Sequence, residues 1–188
     1  MIHWWQSFNS ALTPEECKFI VEYGLTHKAS QATVGHGGKS VVNENLRRST
    51  VRWFSRSDPA LAGLYAKIEA MGLKANANGF GFDLAGFHEV QFTEYNADVD
   101  GTYGWHEDLN WTKNTPFDRK MSMVIQLSHK DDYTGGKLEL QRDPLPAGTF
   151  ENQGDAIFFP SFNTHRVTPV KLGKRYSLVT WFVGPKFR

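Results

Sequence analysis

The sequence predicts a mainly β (α+β) domain in which helices near the N-terminus pack on one sheet of a jelly roll. Three observations carry this. Two stretches with helical spacing occur only in the first eighty residues. From residue 86 onward, short β-like runs follow one another, separated by turn residues at roughly regular intervals, as in a sandwich or barrel. Aromatic residues make up 14% of the chain, with 14 Phe and 6 Trp, which suits a sheet-rich core around a shaped pocket. The 188 residues are read as one domain, with about 1–85 as helical support and substrate loop and about 86–188 as the jelly-roll core.

The first helix is expected in "LTPEECKFIVEYGLTH". Thr13 caps it, Pro14 suits its first position and Glu16 completes a capping box. Cys17, Ile20, Val21, Gly24 and Leu25 then share one face. Cys17, the single cysteine, reads as a small packed residue; it excludes a disulfide framework and a thiolate metal cluster. The second helix is expected in "SDPALAGLYAKIEAMG", with Asp58 as cap, Pro59 behind it, and Leu61, Leu64, Tyr65 and Ile68 at helical spacing. Between them, the glycine-rich stretch from Gln31 to Asn45 has no period and is expected to be a mobile loop. "RRSTVRWF" alternates like a strand, Arg48, Thr50 and Arg52 opposite Ser49, Val51 and Trp53. The later strands are expected in "GFHEVQFTEY", "YGWHEDL", "KMSMVIQL", "GKLELQ", "GDAIFFP", "THRVTPV" and "RYSLVTWFV". No repeat, low-complexity tract or linker divides the chain.

Charge and hydropathy exclude some functions. A net charge of +1 gives no basic surplus for a phosphate backbone, so nucleic acid is not expected as a partner. No apolar run approaches the ~20 residues of a membrane span, and "MIHWWQSFNS" lacks the basic start and apolar core of a signal peptide. A cytoplasmic, monomeric protein with no membrane partner is the expectation.

The chemistry is expected at "TYGWHEDLNW". On a strand, residues two apart share a face, so His106 and Asp108 reach one ion while Glu107 points away. His165, at the start of the strand in "FFPSFNTHRVTP", supplies a second imidazole. Two His and one carboxylate leave coordination positions open, the set used by non-haem iron. A lone His-x-Asp is also ordinary surface polarity, and the downstream context decides between the two. Arg175 in "GKRYSLVTWF" shares a face with Ser177, Val179 and Trp181. A guanidinium turned into a barrel needs an anion, which it grips in bidentate fashion with help from the Ser177 hydroxyl; the alternative is an internal carboxylate or solvent.

These motifs resemble the iron(II)- and 2-oxoglutarate-dependent dioxygenases, and within them the prolyl 4-hydroxylases, over most of the chain. "ATVGHGGKSVVNENLRRSTVRWF" resembles the family's loop-and-strand segment, "YNADVDGTYGWHED" its Tyr…Tyr-x-x-His-x-Asp, "RKMSMVIQL" with "GGKLEL" the next core strands, and "GDAIFFPS…H…V…G.R…W" its closing segment. The resemblance implies a double-stranded β-helix, cupin-like, with Fe(II), 2-oxoglutarate and O2 as cofactor and co-substrates and ascorbate as a candidate reductant. It implies hydroxylation of prolyl residues in a peptide or protein, with decarboxylation of 2-oxoglutarate to succinate and CO2. Carried over residue by residue, His106, Asp108 and His165 are the iron ligands and Arg175 the anchor of the distal carboxylate of 2-oxoglutarate, with Tyr95 helping to hold it. Tyr103, Arg119 and Trp181 line the substrate pocket, and Arg47 and Ser49 close over a peptide. The chain departs from the family in having Arg175 where collagen-type members have Lys, two extra residues between Tyr95 and His106, and "KLELQ" after the double glycine.

Other residues read more plainly. His3, His27, His36, His88 and His129 lack a partner at ligand spacing, and His88 is expected as a buried, satisfied imidazole on the "FHEVQF" strand. Asp131 and Asp132 solvate a turn, Trp4 and Trp5 form a packed plug, and Trp111 shapes the pocket mouth or covers the core. Two rival functions remain: the same cofactor chemistry on a free amino acid or other small molecule, and a non-catalytic metal-binding jelly roll, which has no use for Arg175 with Ser177. A nucleobase demethylase is disfavoured by the neutral charge.

Overall fold

The structure, a computed structural model, describes residues 4–36, 39–87, 89–111 and 115–188. His3 and His88 lie outside the described residues. In chain order the elements are β1 (Gln6–Phe8), α1 (Pro14–Thr26), β2 (Ser30–Gln31), β3 (Val34–His36), β4 (Lys39–Val41), β5 (Arg47–Arg48), β6 (Thr50–Phe54), α2 (Ala62–Ala75), β7 (Gly86–Phe87), β8 (Val90–Asn96), β9 (Thr102–His106), β10 (Phe117–Gln126), β11 (Tyr133–Gly135), β12 (Leu138–Leu140), β13 (Ala156–Pro160), β14 (His165–Val167) and β15 (Val170–Pro185).

Two antiparallel sheets form the jelly roll. The larger runs β1-β13-β10-β15-β8-β6-β2, with β7 and β11 also pairing with β15; the smaller runs β12-β14-β9-β5. β15 is central because its 16 residues pair with β10 on one side and β8 on the other. Its alternation divides the molecule. Leu178 and Phe182 point into the core beneath the helices, whereas Arg175, Ser177, Val179 and Trp181 line a cavity between the sheets.

The helices pack on one face of the larger sheet, as expected. Thr13 and Glu16 form the reciprocal capping box of α1. Asp58 caps a short 3-10 turn, Pro59–Leu61, that leads into α2. Cys17, Ile20, Leu64 and Ile68 meet Phe54, Phe92, Met121, Met123, Phe158 and Phe182 in one buried cluster. Glycines let the helices approach closely. A Cβ on Gly24 would lie 2.9 Å from the Phe92 ring, and one on Gly72 would lie 2.0 Å from Phe182. Gly24 therefore occupies the sheet-facing stripe at the end of α1, and Leu25, expected on that face, is 45% exposed instead. Trp5 packs against the second cluster of Val124, Leu140, Phe150, Ile157 and Phe159, as expected of a plug. No helix among the described residues is long and apolar enough to cross a membrane.

Three expectations need revision. The stretch from Gln31 to Asn45 carries β-structure: Gln31 pairs with Thr50 and Val34–His36 pairs with Lys39–Val41, since Val34, Val41 and their neighbours hydrogen-bond across a hairpin. The "RRSTVRWF" strand is interrupted at Ser49, so that β5 joins β9 in the smaller sheet and β6 joins β8 in the larger. The first 85 residues consequently supply strands to both sheets as well as the helices.

The close contact at Gly72 gives a test. Gly72→Ala overpacks against Phe182 and should destabilise the protein by about 1–3 kcal/mol in urea unfolding. Gly63→Ala on the same helix meets nothing within 4 Å and should be neutral or slightly stabilising.

Candidate metal centre and its cavity

β9 and β14 are antiparallel neighbours, and His106 stands directly opposite His165. Their rings lie 4.1 Å apart. Each ring is oriented by a backbone carbonyl two residues earlier: His106 Nδ1 donates to Gly104 O at 2.8 Å and His165 Nδ1 to Asn163 O at 2.9 Å. In a neutral imidazole, donation from Nδ1 leaves Nε2 as the lone-pair nitrogen.

Asp108 arrives differently from the expected strand alternation. β9 ends at His106, and Asp108 sits in a bend whose backbone N–H groups, those of Asp108 and Leu109, both donate to Ser161 O, at 2.9 and 3.0 Å. This bend turns the carboxylate toward both imidazoles. Asp108 Oδ1 is 3.7 Å from His106 Nε2 and Oδ2 is 3.5 Å from His165 Nε2. Ser122, fully buried on β10, donates from Oγ to Asp108 Oδ2 at 2.7 Å and contacts Ser161 Oγ at 2.9 Å. Glu107 turns outward, as expected, and its carboxylate accepts from Trp111 Nε1 at 3.1 Å.

The donor set fits a cation. The ligand atoms of His106, Asp108 and His165 lie within 4.8 Å of one another. Two imidazole nitrogens and a carboxylate oxygen brought this close are the donor types that hold a divalent ion. Burial pushes the His106 imidazole down to about 3, with the neighbouring His165 adding to the shift and Asp108 opposing it, so the ring is neutral near pH 7. Burial alone would raise the Asp108 carboxyl, but His165, His106, Arg119 and the Ser122 hydroxyl together hold it below the usual carboxylate range.

Beyond this cluster the cavity, about 1010 Å³, extends between the sheets. At its inner end Arg175 is 2% exposed, and its Nη1 has no hydrogen-bond partner among the described residues. Its guanidinium carbon lies 5.6 Å from the centre of the Tyr95 ring; Ser177 lines the same wall. The double glycine keeps this end open. Gly136, at φ +58°, has no side chain where a Cβ would lie 2.9 Å from Arg175 Cδ. A buried, unpaired guanidinium beside a buried hydroxyl fits a carboxylate. Burial raises the Tyr95 hydroxyl pKa above its usual range.

The outer walls hold the remaining expected residues. Tyr103 lies parallel on His106, ring centres 3.5 Å apart, and burial pushes its hydroxyl up to about 12. Arg47 lies over Tyr103 at 4.4 Å, with Nε donating to Ser49 Oγ at 2.9 Å and Nη1 to Thr33 O at 3.3 Å. Arg119 lies 3.7 Å over Trp181, and Trp53 packs against Trp181 at 6.2 Å. Trp111 is exposed at the mouth. Every expected site residue except Ser49 therefore lines one cavity, and Ser49 enters through Arg47. Ser122, Ser161, Trp53 and the carbonyls of Gly104 and Asn163 were not anticipated. The available signal was a hydroxyl in the otherwise apolar run "MSMVI", which must find a partner once buried.

Comparison with known proteins places this geometry. Residues 90–183 match the family described as the 2OG-Fe(II) oxygenase superfamily. A PKHD-type hydroxylase of Alteromonas mediterranea is 39% identical over 84 residues, covering 43% of this chain and 37% of that protein. The chain thus spans well under half of that relative's length. Among solved structures, a prolyl-4-hydroxylase of Pseudomonas putida superposes with a TM-score of 0.72 at 20% identity, covering 96% of this chain and 92% of that one. A prolyl hydroxylase from Trichoplax adhaerens, solved with a peptide fragment of the hypoxia inducible factor oxygen degradation domain, gives 0.75 at 16% identity, covering 95% and 82%.

The Ser122 contact is testable through metal affinity. Ser122→Ala removes the hydroxyl that orients the Asp108 carboxylate and should weaken Mn(II) binding, followed by electron paramagnetic resonance, by about 10–100-fold.

Proposed function

The chain belongs to the 2OG-Fe(II) oxygenase superfamily, and on that premise we propose that it is an Fe(II)- and 2-oxoglutarate-dependent dioxygenase hydroxylating prolyl residues in a peptide or protein. The observation that carries the cofactor half is the buried Arg175, whose Nη1 lacks a partner, in the same cavity as the His106, Asp108 and His165 set. A metal-binding module without turnover has no need of that cation.

His106, Asp108 and His165 would hold the iron, and Arg175 with Ser177 and Tyr95 would hold the far carboxylate of 2-oxoglutarate. When bound, the pair supplies activation of dioxygen coupled to decarboxylation of 2-oxoglutarate to succinate and CO2, the second oxygen atom going to the substrate. The chain's own contribution is placement and dryness. The Gly104 and Asn163 carbonyls fix both imidazole tautomers, Ser122 orients the carboxylate, and Tyr103 covers one face of His106, keeping water from that ligand. Trp181, with Arg119 stacked on it, gives the same cavity an aromatic wall.

Support for a prolyl substrate comes from the solved prolyl hydroxylases that share this fold and from that aromatic wall, which suits a pyrrolidine ring. The β3–β4 hairpin stands at the cavity edge, its base tied through Thr33 O to Arg47, where a peptide would lie across the mouth.

The test is incubation with proline-containing peptides, Fe(II), 2-oxoglutarate and ascorbate. Proline residues should gain one oxygen atom in step with succinate release. Oxygen transfer to free amino acids or small metabolites instead would replace the prolyl reading with the small-molecule one. Arg175→Ala should weaken 2-oxoglutarate binding to the Mn(II)-loaded protein by on the order of 100-fold, the expected loss for one partner of a buried charge pair.

A further inference from the structure

Three guanidiniums, those of Arg47, Arg119 and Arg175, line the cavity. Of the three acids that also line it, only Asp108 turns its carboxylate inward. Glu107 accepts from Trp111 and Thr164 at the exposed rim, and Asp118 accepts from the backbone N–H of Phe187 at 2.8 Å. On the reading above, iron(II), the 2-oxoglutarate dianion, Asp108 and Arg175 carry charges that cancel. Arg47 and Arg119 are then left as two cations facing one cavity with no counter-charge.

Neither is neutralised by the fold. Arg47 is buried, and its hydrogen bonds go to neutral acceptors, Ser49 Oγ and Thr33 O. Arg119 makes no ion pair among the described residues and rests on Trp181. Burial weighs most against its charge and Arg47 repels it, while Asp108, which already faces two imidazoles, and the Tyr103 hydroxyl favour it. Guanidiniums held partly out of water destabilise a fold unless something offsets them. Their stacking on Tyr103 and Trp181 fixes both forks in advance, the state in which a guanidinium binds a carboxylate with least ordering.

We propose that the substrate brings the counter-charge: the cavity reads an acidic peptide, with an Asp or Glu flanking the residue to be hydroxylated and its carboxylate seated on Arg119 or Arg47. This rests on the dioxygenase reading and narrows it from any proline-containing segment to an anionic one. The two guanidiniums then act as specificity residues, outside the metal and 2-oxoglutarate contacts.

The experiment is competitive binding to the Mn(II)- and 2-oxoglutarate-loaded protein, without turnover, of terminally blocked peptides that differ at one position beside proline. The Glu peptide should bind at least about tenfold tighter than its Gln counterpart, with the difference shrinking at high salt. Arg119→Gln or Arg47→Gln should abolish that preference, and the matching Lys variant should retain most of it. Equal binding of Glu and Gln peptides overturns the proposal, as does a preference unchanged in both Gln variants. Tighter binding of free proline or of a peptide ending in proline than of any internal acidic peptide also overturns it, because the carboxylate would then be a terminus. Replacing proline by Ala in the acidic peptide separates this from the prolyl reading. If both peptides bind tightly but proline never gains oxygen, the prolyl reading fails and the acidic one stands. If Glu and Gln peptides bind alike and both are hydroxylated, the reverse holds.

Discussion

The antiparallel register of β9 on β14 is the constraint on which the site depends. It places His106 opposite His165, and because side chains alternate along a strand, a slip of one residue would send one ring to the outer face. The same short device, a carbonyl two residues back, then fixes each ring. The carboxylate comes from elsewhere. Asp108 is held by Ser161, which follows β13, and by Ser122 on β10, both parts of the larger sheet. The imidazoles belong to the smaller sheet and the clasp on the carboxylate to the larger, so the donor set is complete only when the two sheets have closed on each other.

β15 connects that site to the stability of the fold. Its cavity face holds Arg175 and Ser177, whose burial is unfavourable by itself. Its other face holds Leu178 and Phe182, buried beneath α2 and the core, each contributing roughly 1.5–3 kcal/mol. Glycine on the helix at Gly72 lets Phe182 sink fully, so that the polar face opposite stays fixed while surrounded by protein. Helix packing on one side of the sheet is thus what permits a charged wall on the other.

The local features are legible in the sequence because local chemistry decides them: the Thr13–Glu16 capping box, the short β-like runs that become β8, β10, β13 and β15, and the grouping of Arg175, Ser177, Val179 and Trp181 on one face. The outcomes that were not legible depend on which strands become neighbours. Asp108 reaches the imidazoles through a bend anchored at Ser161, and nothing between residues 106 and 108 announces it. Ser122 reads in the sequence as one more residue of a core strand, and only the packing of β10 brings it to Asp108. The stacking of Arg47 on Tyr103 and of Arg119 on Trp181 joins residues far apart in the chain. The helix face was misjudged at Leu25 because periodicity cannot tell which of two adjacent stripes a glycine will press to the sheet.

The residues of the cavity are tied into this architecture unequally. The family match over residues 90–183 contains His106, Asp108, His165, Tyr95, Arg175, Arg119 and Trp181. Arg47, Ser49, Trp53 and the β3–β4 hairpin precede it. The metal and carboxylate positions are tied into two sheets by register and by buried hydrogen bonds, and a change there disturbs several elements together. β5, by contrast, is a two-residue edge strand whose Arg47 is held by one hydroxyl, one carbonyl and one ring. Such a position can change its charge or its reach without disturbing the sheets behind it. The cavity wall is thus held unequally: Arg119 and Trp181 stand on long strands of the larger sheet inside the matched region, whereas Arg47 stands on an edge strand that precedes it.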